Sequence, residues 1–336
     1  MITATNSALQ RGQLTFIPAA GIVRAAMDLI DVHSHVMPRG LLERYGSVSD
    51  LGDGTYSVEL WGVRADRTSR GIFDMGARVR DMDSEDVEVQ VLLPMVNPRA
   101  LSAKVAKLVN DELREETRPH GERFVRLAVL PRDVGEAVDE LDRTYRDLGT
   151  GGALLWSDMA LGSRVLDRIY ERLEDYGIPA FIHPSIPEDS RLSEHYMSVL
   201  VGAVNEDFVA VASVILGGVL DRFPRLRLIF PHGGGAAAIH VGRIRRAAAV
   251  RADCALRRDP LDYMRSMYFD SAVYSADALK YLVSIVGADR VLLGTDYPAD
   301  IMDWRGVAGR VQDALGRAGL DAIGRRNPMR ALGPGR

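Results

Sequence analysis

Cysteine is nearly absent: Cys254 is the only one in 336 residues. No intrachain disulfide and no thiolate metal cluster can therefore form, which favours a reducing compartment. An unbroken apolar stretch of the ~20 residues that a membrane-spanning helix needs is also missing, and residues 1–20 lack the continuous hydrophobic segment of a signal peptide. No membrane partner and a cytoplasmic location are expected. A dominant charge is lacking too, since 42 Lys and Arg against 46 Asp and Glu leave a net charge of −4. The short Arg-rich stretch at Arg243, Arg245 and Arg246 does not change that balance, so nucleic acid is not an expected partner.

What is present is ordinary globular material, 47% hydrophobic and 26% charged, with no internal repeat or low-complexity segment. That composition supports a sizeable core. Such a length suits one α/β barrel, so residues 1–336 are read as a single domain.

Short apolar runs bounded by turn residues recur at 27–33, 87–94, 124–131, 152–156, 179–183, 226–232, 267–270 and 290–294. Runs of this kind are the pattern of parallel strands buried on both faces. Segments with helical periodicity stand between most of them, at 77–86, 100–118, 134–148, 163–176, 194–223, 236–251 and 276–286. Eight strands alternating with helices predict an α/β fold, a (β/α)₈ TIM barrel. Two segments depart from the rhythm. Residues 1–26 form an N-terminal extension, and 37–76 form an insertion after strand one, long enough to suggest a functional role. The insertion contains YSVELWGV, an alternating run that suits a small hairpin, either a substrate lid or a surface decoration.

The histidines carry the chemistry. In His33-Ser34-His35 the spacing of two puts both imidazoles on one side of an extended chain, where they can grip a single ion. His183 ends the fifth strand, His232 the sixth, and Asp296 follows the eighth; barrel enzymes build their sites from such C-terminal strand ends. Four of the seven histidines fall there. Three imidazoles and a carboxylate, His33, His35, His183 and Asp296, suit one Zn²⁺ with a position left for water or substrate, and Mn²⁺ and Fe²⁺ also fit that ligand type. No lysine at the end of strand four offers a bridge to a second metal. His232, in PHGGGA, is read as an acid/base beside the ion, with a fourth imidazole ligand as the alternative. Asp270, at the end of strand seven, either orients one of these rings or caps a turn. Trp61 and Trp156 are candidate substrate contacts, while His120, His195 and His240 are read as surface or packing residues.

IDVHSHVMP, RDMDSEDVEVQVLLP, FIHP, PHGGGAAAIHVGRI, FDSAVYSADALKYLVSIVGADRVLLGTDYP and NPMRALG together resemble the amidohydrolase superfamily. Within it they are similar to the aminocarboxymuconate-semialdehyde decarboxylase group, and the likeness runs from strand one nearly to the end of the chain. The resemblance implies a single zinc on His33, His35, His183 and Asp296, with His232 and Asp296 in the catalytic set. It implies non-oxidative loss of CO₂ from an unsaturated or aromatic carboxylic acid, without an organic cofactor. It also implies a homodimer in which Arg243 crosses to hold the substrate carboxylate of the neighbouring site, and a second arginine from the loop after strand one. Arg64, Arg67 and Arg70 all fall in that loop, and Arg67 is taken for the role. Trp156 joins these as a substrate-side residue. Where the family carries aromatics, this chain has Ser185 after His183 and Ala299 after Asp296, which predicts a roomier or more polar pocket. The rival reading of the same site is a metal-dependent hydrolase or hydratase acting on a lactone, amide or alkene.

Overall fold

The computed structural model describes residues 28–298, 301 and 304–333. The N-terminal extension read at 1–26 lies outside the described residues, as does Ala299. Eleven strands are formed among the described residues: β1 (Leu29–Val36), β2 (Gly46–Asp50), β3 (Tyr56–Leu60), β4 (Val63–Thr68), β5 (Val87–Pro94), β6 (Phe124–Val129), β7 (Gly152–Trp156), β8 (Ala180–His183), β9 (Leu228–Phe230), β10 (Tyr268–Asp270) and β11 (Val291–Leu292). Eight of them pair in the order β1-β5-β6-β7-β8-β9-β10-β11, each neighbouring pair parallel.

Closure into a barrel comes from the stretch around and after β11. The Val32 amide donates to Leu293 O at 2.8 Å, the Asp296 amide to His33 O at 2.9 Å, and the His35 amide to Tyr297 O at 2.6 Å. The expected (β/α)₈ barrel is the observed fold. Its strands alternate as a closed parallel sheet requires. Val125, Leu127, Val129, Leu154, Trp156 and Phe181 belong to one buried cluster that fills the barrel. Their alternates Phe124, Ala128, Ala153, Leu155, Ala180 and Ile182 pack in a second cluster with the surrounding helices.

Between β1 and β5 the chain departs from the alternation, and Leu41, Val58, Leu60 and Ile72 there pack in the same buried cluster as the barrel interior. The helix Arg39–Tyr45 leads into an antiparallel β2-β3-β4 sheet. YSVEL is β3, with Val58 and Leu60 buried and Glu59 exposed, the alternation of a half-buried strand.

The single helix expected over 194–223 is not observed. Helical structure runs Ser198–Ala203 and Val204–Leu216, breaks at the Gly217-Gly218 pair, and restarts as Val219–Arg222. A Cβ at Gly217 would meet Gly162 O at 2.3 Å, so the helix ends where two backbones touch. The stretch Ser198–Leu216, with a mean hydropathy of 1.9, is long and apolar enough to cross a membrane, which reading unbroken apolar runs alone did not reveal. Here it is a barrel helix: Ala210, Val211, Val214 and Ile215 pack into the core, and Asp207 in its middle is buried.

Candidate metal centre

All five residues singled out at strand ends meet at the C-terminal mouth of the barrel. His33 Nε2 lies 3.3 Å from His35 Nε2. The His35–His183 and His33–His183 ring centroids are 4.9 and 5.6 Å apart. Asp296 Oδ1 sits 3.2 Å from His33 Nε2 and 2.9 Å from His35 Nε2, and Asp296 Oδ2 sits 3.3 Å from His232 Nε2. His33, His35 and His183 offer ring nitrogens all within 4.8 Å of one another, and so do His33, His232 and the Asp296 carboxylate.

Local structure explains this convergence. On β1 the alternation of an extended strand sends His33 and His35 to one side. His183 is the last residue of β8, with Trp156 as its register partner on β7. Both His232 and Asp296 take left-handed backbone conformations, at φ 51° and 59°, which cost a non-glycine residue of the order of 1–3 kcal/mol and cluster at functional sites.

Of the three glycines after His232, the last is where backbone meets backbone. Gly235 has φ 59°, and a Cβ there would meet Val204 O at 1.9 Å. That close approach brings the helix Val204–Leu216 against the His232 turn, where Asp207 Oδ2 stands 2.8 Å from His232 Nδ1. Asp207 went unnoticed in the sequence, where the only hint is an acidic pair, Glu206-Asp207, interrupting an otherwise apolar helical run.

Asp270 does orient a ring, that of His33 and not His232: its Oδ2 lies 2.6 Å from His33 Nδ1. His183 Nδ1 faces Pro184 O at 3.0 Å. With Nδ1 of both His33 and His183 engaged, their Nε2 atoms are left for the ion, the arrangement in which outer partners fix ligand tautomers. Asp31 is a further residue the sequence did not single out. Its carboxylate accepts from the amides of His33 and Thr295, from Thr295 Oγ1 and from Gln90 Nε2 at 2.6–3.1 Å, so β1, β5 and the Asp296 turn hang on one buried group. Burial pushes its pKa up to about 6, against those hydrogen bonds.

Electrostatics divide the cluster. Burial holds the His183 imidazole well below its ordinary value, with the neighbouring histidines adding to the shift. Burial likewise lowers His35, partly offset by Asp296. For His33 burial is outweighed by Asp296 and Asp270, and the value rises. His232 is held well above the ordinary value: burial opposes, but Asp207 and Asp296 together prevail. Asp296 lies well below the carboxylate range because the charges and hydrogen bonds of the histidines overcome burial.

A divalent ion fits this donor set. His35 and His183 are kept neutral, with ring nitrogens turned on one another and on an ionised carboxylate, an assembly of lone pairs that a cation completes.

The expected substrate-binding residues are more dispersed. Trp156 is 6% exposed, its ring edge-on to His183 at 5.6 Å, and its Nε1 has no hydrogen-bond partner among the described residues. Arg67 pairs with Asp53 at 2.7 Å on the exposed β4. Arg64 pairs with Asp66 and Arg70 with Asp74 in the same way, so none of the three loop arginines joins the histidines. Trp61 packs against Tyr45. Arg243 is exposed on the helix Ala237–Val250, without an ion-pair partner among the described residues.

Fold and site together define a (β/α)₈ barrel with a metal-binding centre at the strand ends. The chain belongs to the amidohydrolase family, whose model matches residues 30–333. It is 31% identical to the 2-amino-3-carboxymuconate-6-semialdehyde decarboxylase of Dictyostelium discoideum, over 80% of this chain and 81% of that one. It is 26% identical to the 2-keto-4-carboxy-3-hexenedioate hydratase of a Sphingobium strain, over 65% and 66% of the two chains. A Polaromonas dihydroxybenzoic acid decarboxylase, solved with bound manganese and the inhibitor 2-nitroresorcinol, superposes with a TM-score of 0.72 at 22% identity, covering 91% of this chain and 96% of that one.

Proposed function

We propose that this protein is a metal-dependent carboxy-lyase that removes CO₂, without oxidation, from an unsaturated or aromatic carboxylic acid. The observation that carries the reading is the His33, His35, His183 and Asp296 cluster with His232 at its edge, its Nε2 3.3 Å from Asp296 Oδ2. Zinc is the resident ion in this reading, with manganese, which a structural relative binds, and iron(II) as the alternatives. A divalent ion held there supplies Lewis acidity to an oxygen beside the reacting carbon.

The chain's own residues do the rest. Asp207 fixes the His232 ring through Nδ1 and favours the imidazolium, so Nε2 carries a proton toward the pocket. The bond between carbon and carboxylate breaks, its electron pair stays on carbon, and the His232 Nε2 proton is taken up there as CO₂ leaves. Solvent then reprotonates His232, so that one proton is consumed for each carboxylate lost. Trp156 forms an apolar wall beside His183 and excludes water from the reacting carbon. The enzyme acts as a cytoplasmic homodimer in which the partner subunit's Arg243 holds the substrate carboxylate; its exposed guanidinium, without an ion-pair partner among the described residues, supports that role.

The hydratase relative favours one rival, addition of water to an alkene at the same centre. Purified protein with measured metal content, incubated with hydroxybenzoates and carboxymuconates, should release CO₂ in proportion to bound ion. Hydration of an unsaturated acid with no CO₂ evolved would transfer the assignment to the hydratase.

A further inference from the structure

Arg78, in the helix Met75–Ser84, is fully buried, and a buried cation is costly unless it is paired and fully hydrogen-bonded. Among the described residues no carboxylate lies within ion-pair distance of it. Its guanidinium spends its donors on neutral acceptors instead: Nε on Gly71 O at 2.9 Å, Nη1 on Ser34 Oγ at 3.1 Å and on Gln90 Oε1 at 3.0 Å, and Nη2 on His35 O. The guanidinium carbon lies 4.8 Å from the centre of the Tyr297 ring.

These contacts share one property. Ser34 separates His33 from His35, the His35 carbonyl belongs to a ligand residue, and Tyr297 directly follows Asp296. Gln90 passes the contact on to Asp31, donating to its Oδ2 at 2.9 Å, and Asp31 in turn holds the His33 and Thr295 amides. Tyr297 is fixed at its far end by Asp81 at 2.7 Å and Ser69 at 3.0 Å. Gly71 leaves room for it, since a Cβ there would fall 1.7 Å from Tyr297 Oη. The cation therefore sits behind the barrel wall, where β1 meets the segment after β11, and touches the backbone or neighbour of three of the four expected ligands.

We propose that Arg78 is a positioning residue for the metal centre: it locks the registry between the His33-Ser34-His35 strand and the Asp296 turn, so that three ligands are held ready for the ion. This rests on the metal-centre reading above. A helix residue needed only for stability would be served by an apolar side chain, which avoids burying a charge. A planar fork with five donors is what several differently directed acceptors require, and lysine cannot reproduce it.

The test measures ion affinity apart from turnover. Unsubstituted protein, Arg78→Lys and Ser34→Ala are stripped of metal and titrated with Zn²⁺ against a competing chelator. The visible spectrum of each Co²⁺-loaded form and the melting temperature of each metal-free form are recorded alongside. Arg78→Lys should bind about 10- to 100-fold more weakly, the usual effect of losing a group that orients ligands, with a shifted Co²⁺ spectrum. Ser34→Ala, which removes one of the four acceptors, should show a smaller loss of affinity with its metal-free melting temperature nearly unchanged. If Arg78→Lys lowers only the melting temperature, with affinity and spectrum as in the unsubstituted protein, the proposal is overturned. If Arg78→Lys does not fold, unaltered affinity and spectrum in Ser34→Ala overturn it equally. Unsubstituted protein that takes up no stoichiometric ion overturns the metal-centre reading itself, and this proposal with it.

Discussion

Asp207 Oδ2 and His232 Nδ1 lie 2.8 Å apart, between the middle of a barrel helix and the turn after β9. The carboxylate has no exposed surface to speak of, and burial pushes its pKa up to about 6 against the pull of His232. It fixes which ring nitrogen faces Asp296. Replacing Asp207 by Asn keeps the shape but removes the negative charge that favours the imidazolium, and its amide NH2 can donate to Nδ1 and hold the ring in the wrong tautomer. Turnover should fall by about 10²- to 10⁴-fold, the range for losing general acid–base function, while bound metal stays stoichiometric. A variant that loses its metal instead would make His232 a ligand.

The Asp270–His33 contact at 2.6 Å makes a contrasting prediction. Asp270 touches a ligand and not the acid/base, so Asp270→Asn should weaken ion binding by about 10- to 100-fold. Turnover at saturating metal should be far less affected. Equal affinity in the variant and the unsubstituted protein, measured by chelator competition, would reduce Asp270 to a cap for the Ala272 amide, which its Oδ1 also accepts.

The contrast between these two carboxylates shows what the sequence could reveal. His33, His35, His183, His232 and Asp296 stood out because strand ends are visible as the edges of apolar runs, and a barrel brings every such edge to one mouth. Asp270 shared that visibility, although the pairing with His33 did not. Asp207 and Arg78 lay inside helical segments, where a charged residue reads as a solvated face. Only the closing of the sheet turns those side chains inward. The break of the 194–223 helix was hidden for a related reason, because Gly217 meets Gly162 across the fold and not along the chain. The loop arginines were ambiguous because three stood in one stretch, and the structure gives each a local acidic partner.

Glu116 offers a prediction about stability rather than activity. Its Oε1 accepts from the Gly40 amide at 2.9 Å, tying down the start of the Arg39–Tyr45 helix, while its buried Oε2 has no hydrogen-bond partner among the described residues. Burial, with nearby Glu112 adding, pushes its pKa from 4.5 to about 7. Since the folded value is the higher one, the unfolded chain ionises first as pH rises. Stability is therefore lost between about pH 4.5 and 7 and does not recover above that. Glu116→Gln removes this penalty and retains an acceptor for Gly40. Urea unfolding should show the variant equal to the unsubstituted protein near pH 4.5 and more stable at pH 8, by about 1–3 kcal/mol after allowance for partial exposure. A difference that stays constant across that range would refute the argument.

Arg243 and His232 allow the subunit arrangement to be tested through catalysis. If each site takes its carboxylate-binding arginine from the neighbouring subunit, Arg243→Ala and His232→Ala homodimers should both be inactive, the first mainly through a raised KM and the second through a lowered kcat. In a mixed dimer the two defects fall together in one site. The other site then has an intact His232 on its own chain and the intact Arg243 of its neighbour. Mixing the two variants under conditions that exchange subunits should therefore restore activity measured at substrate near the KM of the unsubstituted enzyme, approaching one working site per mixed dimer. If Arg243 serves its own chain, every site keeps a defect whatever the pairing, and mixing restores nothing. Activity that returns only when the variants are co-assembled would distinguish exchange from contamination. The regained KM should then equal that of the unsubstituted enzyme, because the restored site contains no substituted residue.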